Sequence, residues 1–228
     1  MADNSNPFEN GIDPDTYRAL FEEDFKTEDP WGFETSEYER TKYGRQTDIS
    51  KEYRPDPQQI LEISCAEGVY TKKLADEFKN AHITGIDISH NALERAKNKL
   101  EKYIKEGRIT LKEGNITEEI YNLPENSSDL TFWSESVFYL NALITPVDMY
   151  NCFSQLHKIQ KQDSILVMAN IIEQEGYPEG PISKRVLMDN IKSIISGFFE
   201  PVYQKSYREF KKEENQEFDY EIWVFRKN

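Results

Sequence analysis

The sequence predicts an α/β protein: a mostly parallel seven-stranded sheet, closed by a C-terminal antiparallel hairpin and preceded by an N-terminal helical lid. Three observations predict it. Residues 60–70, I-L-E-I-S-C-A-E-G-V-Y, and residues 83–89, I-T-G-I-D-I-S, are apolar runs that end on a small or acidic residue where a helix begins. Sheets of this class build a nucleotide-type pocket at such strand ends. Further apolar runs then alternate with amphipathic segments, the order of successive βα units. Near the end, residues 199–207 and 218–225 form two aromatic extended runs with a charged connection between them, and Phe218, Tyr220, Ile222 and Val224 alternate onto one face of the second.

Each element has its own local reason. Residues 1–15 are polar and read as disordered. From Thr16, the spacing of Tyr17, Leu20, Phe21 and Phe25 marks a short amphipathic helix that stops before Asp29-Pro30. Residues 36–49 read as a second helix, with Tyr38, Tyr43 and Ile49 inward and Ser36 as N-cap in a capping box with Glu39. Residues 1–50 are thus expected to form the lid and residues 51–228 the catalytic domain. Strands follow at 59–64, 82–87, 109–113, 129–134 and 164–170, with helices at 68–78, 91–104 and 147–159; in the second of these Leu93, Ala96, Leu100 and Ile104 share one stripe. After a Gly/Pro-rich stretch at 175–181 comes a helix over 183–196, then the hairpin, whose charge run at 211–214 reads as a solvated loop.

The tip of the second strand identifies a ligand class. Asp87 there is placed to accept hydrogen bonds from both hydroxyls of a ribose, which points to an adenosine-containing cofactor. The loop after the first strand narrows the choice, because a dinucleotide fingerprint needs three glycines against a pyrophosphate. Ser64, Ala66 and Gly68 retain one. Glu62 and Glu67 would repel phosphate but suit the sulfonium and ammonium of S-adenosylmethionine, which carries none.

Composition bounds the rest. With 228 residues, one domain is expected. The formal net charge is −14 and no basic cluster could neutralise a phosphate ladder, which argues against nucleic acid as partner. Cys65 and Cys152 make no framework, and no Cys/His grouping has zinc spacing, so no metal is expected. The N-terminus lacks the charged and apolar regions of a signal peptide and no apolar run approaches a membrane span; the expected location is the cytoplasm. No histidine has a partner at nucleophile spacing.

Four segments together resemble the nodulation protein S (NodS) family of class I, Rossmann-like methyltransferases. They are D-P-W-G-F-E-T-S-E-Y-E-R-T-K-Y at 29–43, L-E-I-S-C-A-E-G-V-Y-T at 61–71, G-I-D-I-S at 85–89 and S-E-S-V-F-Y-L at 134–140. The first is the more specific; the others are common to class I methyltransferases. Members of that family are S-adenosylmethionine-dependent N-methyltransferases acting on an amino sugar at the end of a chito-oligosaccharide. The resemblance implies that Trp31 and Tyr43 close the cofactor pocket, that Glu62, Ser64, Ala66 and Gly68 surround the cofactor's amino-acid end, and that Asp87 and Ile88 meet its ribose and adenine. It further implies Asn115 and Ile116 at the adenine edge, with Ser134 and Glu135 facing the methyl group and acceptor. Such enzymes usually carry glycine in place of Ser64 and often of Ala66.

In this reading Glu135 anchors or deprotonates an amine acceptor, and Tyr139 or Tyr38 orients a sugar ring. The expected function is methyl transfer from S-adenosylmethionine, leaving S-adenosylhomocysteine, to the amine or hydroxyl of a small molecule or glycan. Two rivals remain at this point: a nucleotide-dependent oxidoreductase, disfavoured by the missing glycines, and a catalytically silent scaffold with this fold, favoured only by Ser64 and Ala66. The sequence leaves the acceptor and the oligomeric state open.

Overall fold

The computed structural model describes residues 14–174 and 184–227. The stretch expected to be disordered at the N-terminus and the Gly/Pro-rich stretch lie outside these, save for residues 14 and 15. In chain order the elements are α1 (Pro14–Asp24), α2 (Glu37–Tyr53), β1 (Gln59–Ile63), α3 (Val69–Glu77), β2 (His82–Asp87), α4 (His90–Lys99), α5 (Glu101–Lys105), β3 (Ile109–Glu113) and α6 (Ile116–Glu119). There follow β4 (Ser128–Trp133), α7 (Leu140–Leu143), α8 (Pro146–Ile159), β5 (Gln160–Gln174), α9 (Lys184–Ile195), β6 (Glu200–Lys211) and β7 (Gln216–Arg226).

The seven strands form one sheet in the order β3-β2-β1-β4-β5-β7-β6. Strands β1 to β5 pair in parallel, and β7 pairs antiparallel with both β5 and β6, as expected. Both faces are covered, which is why the strands read as nearly continuous apolar runs. Ile60, Ile83, Leu130, Val167, Ile222 and Val224 face α2, α3 and α4, whereas Leu61, Ile63, Trp133, Leu166, Met168 and Trp223 face α8 and α9. The chain winds from β1 outward to β3, then returns to place β4 on the other side of β1. This switch point, between the C-terminal ends of β1 and β4, is where sheets of this kind leave a crevice.

The structure corrects several expectations. The helix expected over 91–104 breaks at Leu100, whose φ and ψ of −102° and 8° part α4 from α5, although Leu93, Ala96 and Leu100 do line its buried stripe. Tyr17 of α1 and Phe25 just after it are buried, but Leu20 is exposed. Ser36 is the N-cap of α2 without a side-chain cap bond; its Oγ donates to Glu213 instead, and Glu39 turns inward and is buried, so no capping box forms. Lys211 is not in a solvated loop: it is buried, and its Nζ donates to the Trp31 carbonyl at 2.9 Å. Helix α2 runs through residue 50, where the expected lid was to end, and buries Tyr38, Glu39, Lys42, Gln46, Thr47, Ile49 and Ser50. No helix of the described residues is long and apolar enough to cross a membrane.

Candidate active site

A pocket opens at the switch point, lined by Glu62 and Ile63 of β1, residues 64–67 of the loop that follows, Val69 and Tyr70 of α3, Phe132 of β4, Ser134 and Glu135 just beyond it, and Phe33 and Tyr43 from the N-terminal segment. Its backbone is held in unusual conformations. Among the described residues, those with positive φ other than glycine, Asn and Asp are Ser64 (62°), Ala66 (47°) and Glu135 (57°), and all three line this pocket. A left-handed conformation costs an L-residue roughly 1–2 kcal/mol, and such strain gathers at functional sites. The loop therefore keeps the shape that glycines would adopt more readily. Gly68, at φ 74°, holds a conformation that L side chains rarely adopt, and a Cβ there would lie 3.1 Å from Ala96 Cβ and 2.7 Å from Leu100 Cδ1.

Two carboxylates tie the loop down. Asp87 accepts from the Ala66 amide at 2.8 Å and, with its other oxygen, from the Ser89 amide at 2.9 Å; burial pushes its carboxyl up to about 6 against the pull of these bonds. Glu67 is buried and accepts from Arg95 at 2.7 Å and from the Asp29 amide at 3.1 Å, while Arg95 also donates to the Thr27 carbonyl. The charge expected of Glu67 toward a ligand is thus already matched by Arg95, and the pair clasps the α1–α2 connection onto the loop.

Glu62 is different. It is buried in the pocket wall, its Oε2 has no hydrogen-bond partner, and burial pushes its carboxyl up to about 8.

Glu135 stands at the opposite wall. Its amide donates to the Ala169 carbonyl, its Oε2 accepts from the Ile171 amide at 3.3 Å, and its Oε1 lies 3.2 Å from Lys42 Nζ. Lys42 is fully enclosed. Burial works to lower its pKa, but the carboxylates of Glu135 and Glu39 outweigh this and hold it well above the ordinary lysine value. One turn further along α2, Gln46 Oε1 accepts from Ser134 Oγ at 2.6 Å. Helix α2 is therefore a wall of the site, bonded to both residues at the tip of β4.

Of the residues expected in the site, Tyr43, Glu62, Ser64, Ala66, Ser134 and Glu135 line this pocket. Gly68 and Asp87 support its loop from behind. Trp31 packs on Phe25 and Phe33 and reaches the pocket through the latter. Ile88, Asn115 and Ile116 lie beyond the lining, around the ends of β2 and β3. Asn115 caps α6 by accepting from the Thr117 amide, and its buried Nδ2 has no partner. Tyr38 is a core residue against Phe218 and Tyr220, and Tyr139 packs edge-on against Tyr17 and Phe21 of α1; neither ring lines the pocket. Sequence reasoning missed Lys42, Gln46 and Phe33. The signal for the first two was the 39–42–46 spacing, which puts Glu39, Lys42 and Gln46 on one face of a helix.

The donor set fits S-adenosylmethionine: a buried carboxyl at Glu62 with one oxygen unpartnered, a carboxylate at the tip of β2, an orphaned amide at Asn115 beyond the end of β3, and, among the described residues lining the pocket, no cluster of cations for a pyrophosphate. The described residues at positions 56–217 fall within a match of the chain to the methyltransferase-domain family over that span. Nodulation protein S of Bradyrhizobium diazoefficiens is 25% identical over 170 residues, 73% of this chain and 76% of that protein. The O-methyltransferase cnsE of Penicillium expansum is 25% identical over 161 residues, of which this chain covers 54% of the length. In structure, the N-methyltransferase NodS from Bradyrhizobium japonicum WM9, crystallised with S-adenosyl-L-homocysteine, superposes with a TM-score of 0.72 at 21% identity, over 93% of this chain and 98% of that one. The chain belongs to the methyltransferase-domain family and is a class I, S-adenosylmethionine-dependent methyltransferase of NodS-like fold. The oxidoreductase reading is thereby set aside.

Proposed function

We propose that this methyltransferase acts on the amine of a sugar, and that Glu135 anchors that amine. The observation carrying this reading is Glu135 in the pocket lining, its carboxylate fixed by a backbone amide and a buried lysine and its side chain still 21% exposed. A carboxylate paired in this way suits an ammonium group. It is a poor base for a sugar hydroxyl, whose proton is far less acidic. The relation to an N-methyltransferase in sequence and fold supports the same choice.

The cofactor supplies a methyl group already activated by its sulfonium, so the chain adds position, dryness and a route for one proton. Glu62 would hold the cofactor's ammonium, Ser64 and Ala66 would let it approach the loop backbone, and Asp87 would meet the ribose. Glu135 would hold the acceptor as its aminium and take one proton from it, which frees the nitrogen lone pair before the carbon–nitrogen bond forms. Phe33 and Tyr43 of the pocket lining, rather than Tyr38 or Tyr139, would be the aromatic walls for a sugar ring. Helix α1 and residues 25–35 would form the moving part of the lid, with α2 as its fixed base.

Methyl-labelled S-adenosylmethionine offered with glucosamine, deacetylated chitobiose and their N-acetylated counterparts tests the proposal. Label is expected on the free amines alone. Incorporation into the N-acetylated sugars, or none into any sugar, overturns it.

A further inference from the structure

Behind Glu135 the charges alternate inward. Lys42 Nζ lies 3.2 Å from Glu135 Oε1 and 2.9 Å from Glu39 Oε2, Glu39 Oε1 lies 3.9 Å from Lys211 Nζ, and Lys211 pairs with Glu214 at 2.6 Å. The Lys42 and Glu39 side chains are 2% and 4% exposed. Burying such a group of charges is a weak source of stability: each ion loses several kcal/mol of hydration, and well-packed apolar residues of the same volume do as well or better. The Lys42 ammonium also stands 5.0 Å from the centre of the Tyr38 ring, a cation–π contact. It lies between two carboxylates, that of Glu39 in the interior and that of Glu135, which lines the pocket.

The surrounding geometry gives that contact a direction. Glu135 has little freedom in its backbone, at φ 57° with its amide bonded to Ala169, and one of its oxygens is held by the Ile171 amide. Lys42 holds the other. On the same helix Gln46 holds Ser134, so two neighbouring residues at the tip of β4 are each gripped by one side chain of α2. Glu39 in turn keeps Lys42 in place from the side away from the pocket.

We propose that Lys42 is a positioning residue for methyl transfer: it aims the Glu135 carboxylate at the acceptor, with Glu39 as its support. This rests on the reading of Glu135 as acceptor anchor. The role is distinct from docking α2, to which Tyr38, Ile49, Gln46 and Arg45 also contribute contacts.

Four variants of the full chain separate the possibilities: E39Q/K42M, which removes a neutral pair of charges, the same with Glu135→Gln added, Glu135→Gln alone, and Lys42→Arg. Each is titrated with S-adenosylhomocysteine and assayed on deacetylated chitobiose. E39Q/K42M is expected to keep cofactor affinity within about 3-fold while kcat/KM for the amine falls about 30-fold, and adding Glu135→Gln is expected to cost no more than Glu135→Gln does alone. Lys42→Arg, which keeps the charge but not the reach, is expected to lose about 10-fold in kcat/KM. Wild-type kinetics in E39Q/K42M and Lys42→Arg beside an impaired Glu135→Gln overturn the positioning role alone, as does a loss that multiplies with that of Glu135→Gln. Wild-type kinetics in Glu135→Gln overturn the anchor reading itself.

Discussion

Replacing Glu62 by glutamine should make the protein more stable at alkaline pH and less able to bind its cofactor. The side chain is buried on β1, and burial raises its carboxyl from 4.5 to about 8. Because the folded-state value lies above the unfolded one, the native chain keeps a proton that the unfolded chain has lost between these values. Stability is then fully present below about pH 4.5 and is lost as pH rises through about 8. At roughly 1.4 kcal/mol per pH unit, the gap corresponds to roughly 3–5 kcal/mol by pH 9. Denaturant unfolding of wild type and Glu62→Gln at pH 5, 7 and 9 should show nearly equal stability at pH 5 and an advantage for the variant of a few kcal/mol at pH 9. An ammonium group binding beside Glu62 also ionises it, so wild-type affinity for S-adenosylhomocysteine should rise between pH 6 and 8 with release of a proton, and Glu62→Gln should bind about 10- to 100-fold more weakly without that release. Parallel stability curves for the two proteins would refute the buried, protonated carboxyl; equal affinity would refute its role in the pocket.

Ala66→Gly removes the strain of a left-handed alanine and should raise stability by about 0.5–1 kcal/mol despite the entropy of glycine, measured by thermal unfolding; a destabilised variant would mean that the loop is not strained. Asp87→Ala takes away the acceptor for the Ala66 and Ser89 amides as well as the expected ribose contact, and should weaken S-adenosylhomocysteine binding about 10- to 100-fold in calorimetry. Unchanged affinity there would remove Asp87 from the site. In hydrogen exchange, amides of residues 14–35 should gain protection when the cofactor binds, whereas those of α2 should be protected throughout; equal protection of residues 14–35 with and without ligand would make that segment a fixed cap.

Much of the fold was legible because its strands are covered on both faces. Ile60, Leu61 and Ile63, and Leu130, Phe132 and Trp133, had to be apolar, and the hairpin announced itself through the alternation from Phe218 to Val224. The loop at Ser64 to Gly68 was legible by its small residues, yet nothing in the letters says that Ser64 and Ala66 hold positive φ; that follows from the tight return from β1 into α3. Helix α2 was legible in part: Tyr38 and Ile49 are buried as expected. Inward positions were sought among apolar residues, however, and its buried face is largely polar, with Glu39, Lys42 and Gln46 paired with residues about 90 or 170 positions away or with each other. Long-range pairing of that kind leaves no local pattern, which is also why Lys211 looked solvated and Glu67 looked free. Tyr139 lies outside the pocket lining, its ring packed against helix α1, whose position a short amphipathic pattern does not determine.

Titration calorimetry of S-adenosyl-L-homocysteine into the full chain at pH 8, with NAD as the comparison, puts the assignment of this pocket to its most direct test. The residues at the switch point predict saturable one-to-one binding of S-adenosylhomocysteine, abolished or much weakened in Glu62→Gln and Asp87→Ala, and no heat from NAD. Absence of binding by S-adenosylhomocysteine, or binding that both variants leave intact, would contradict it.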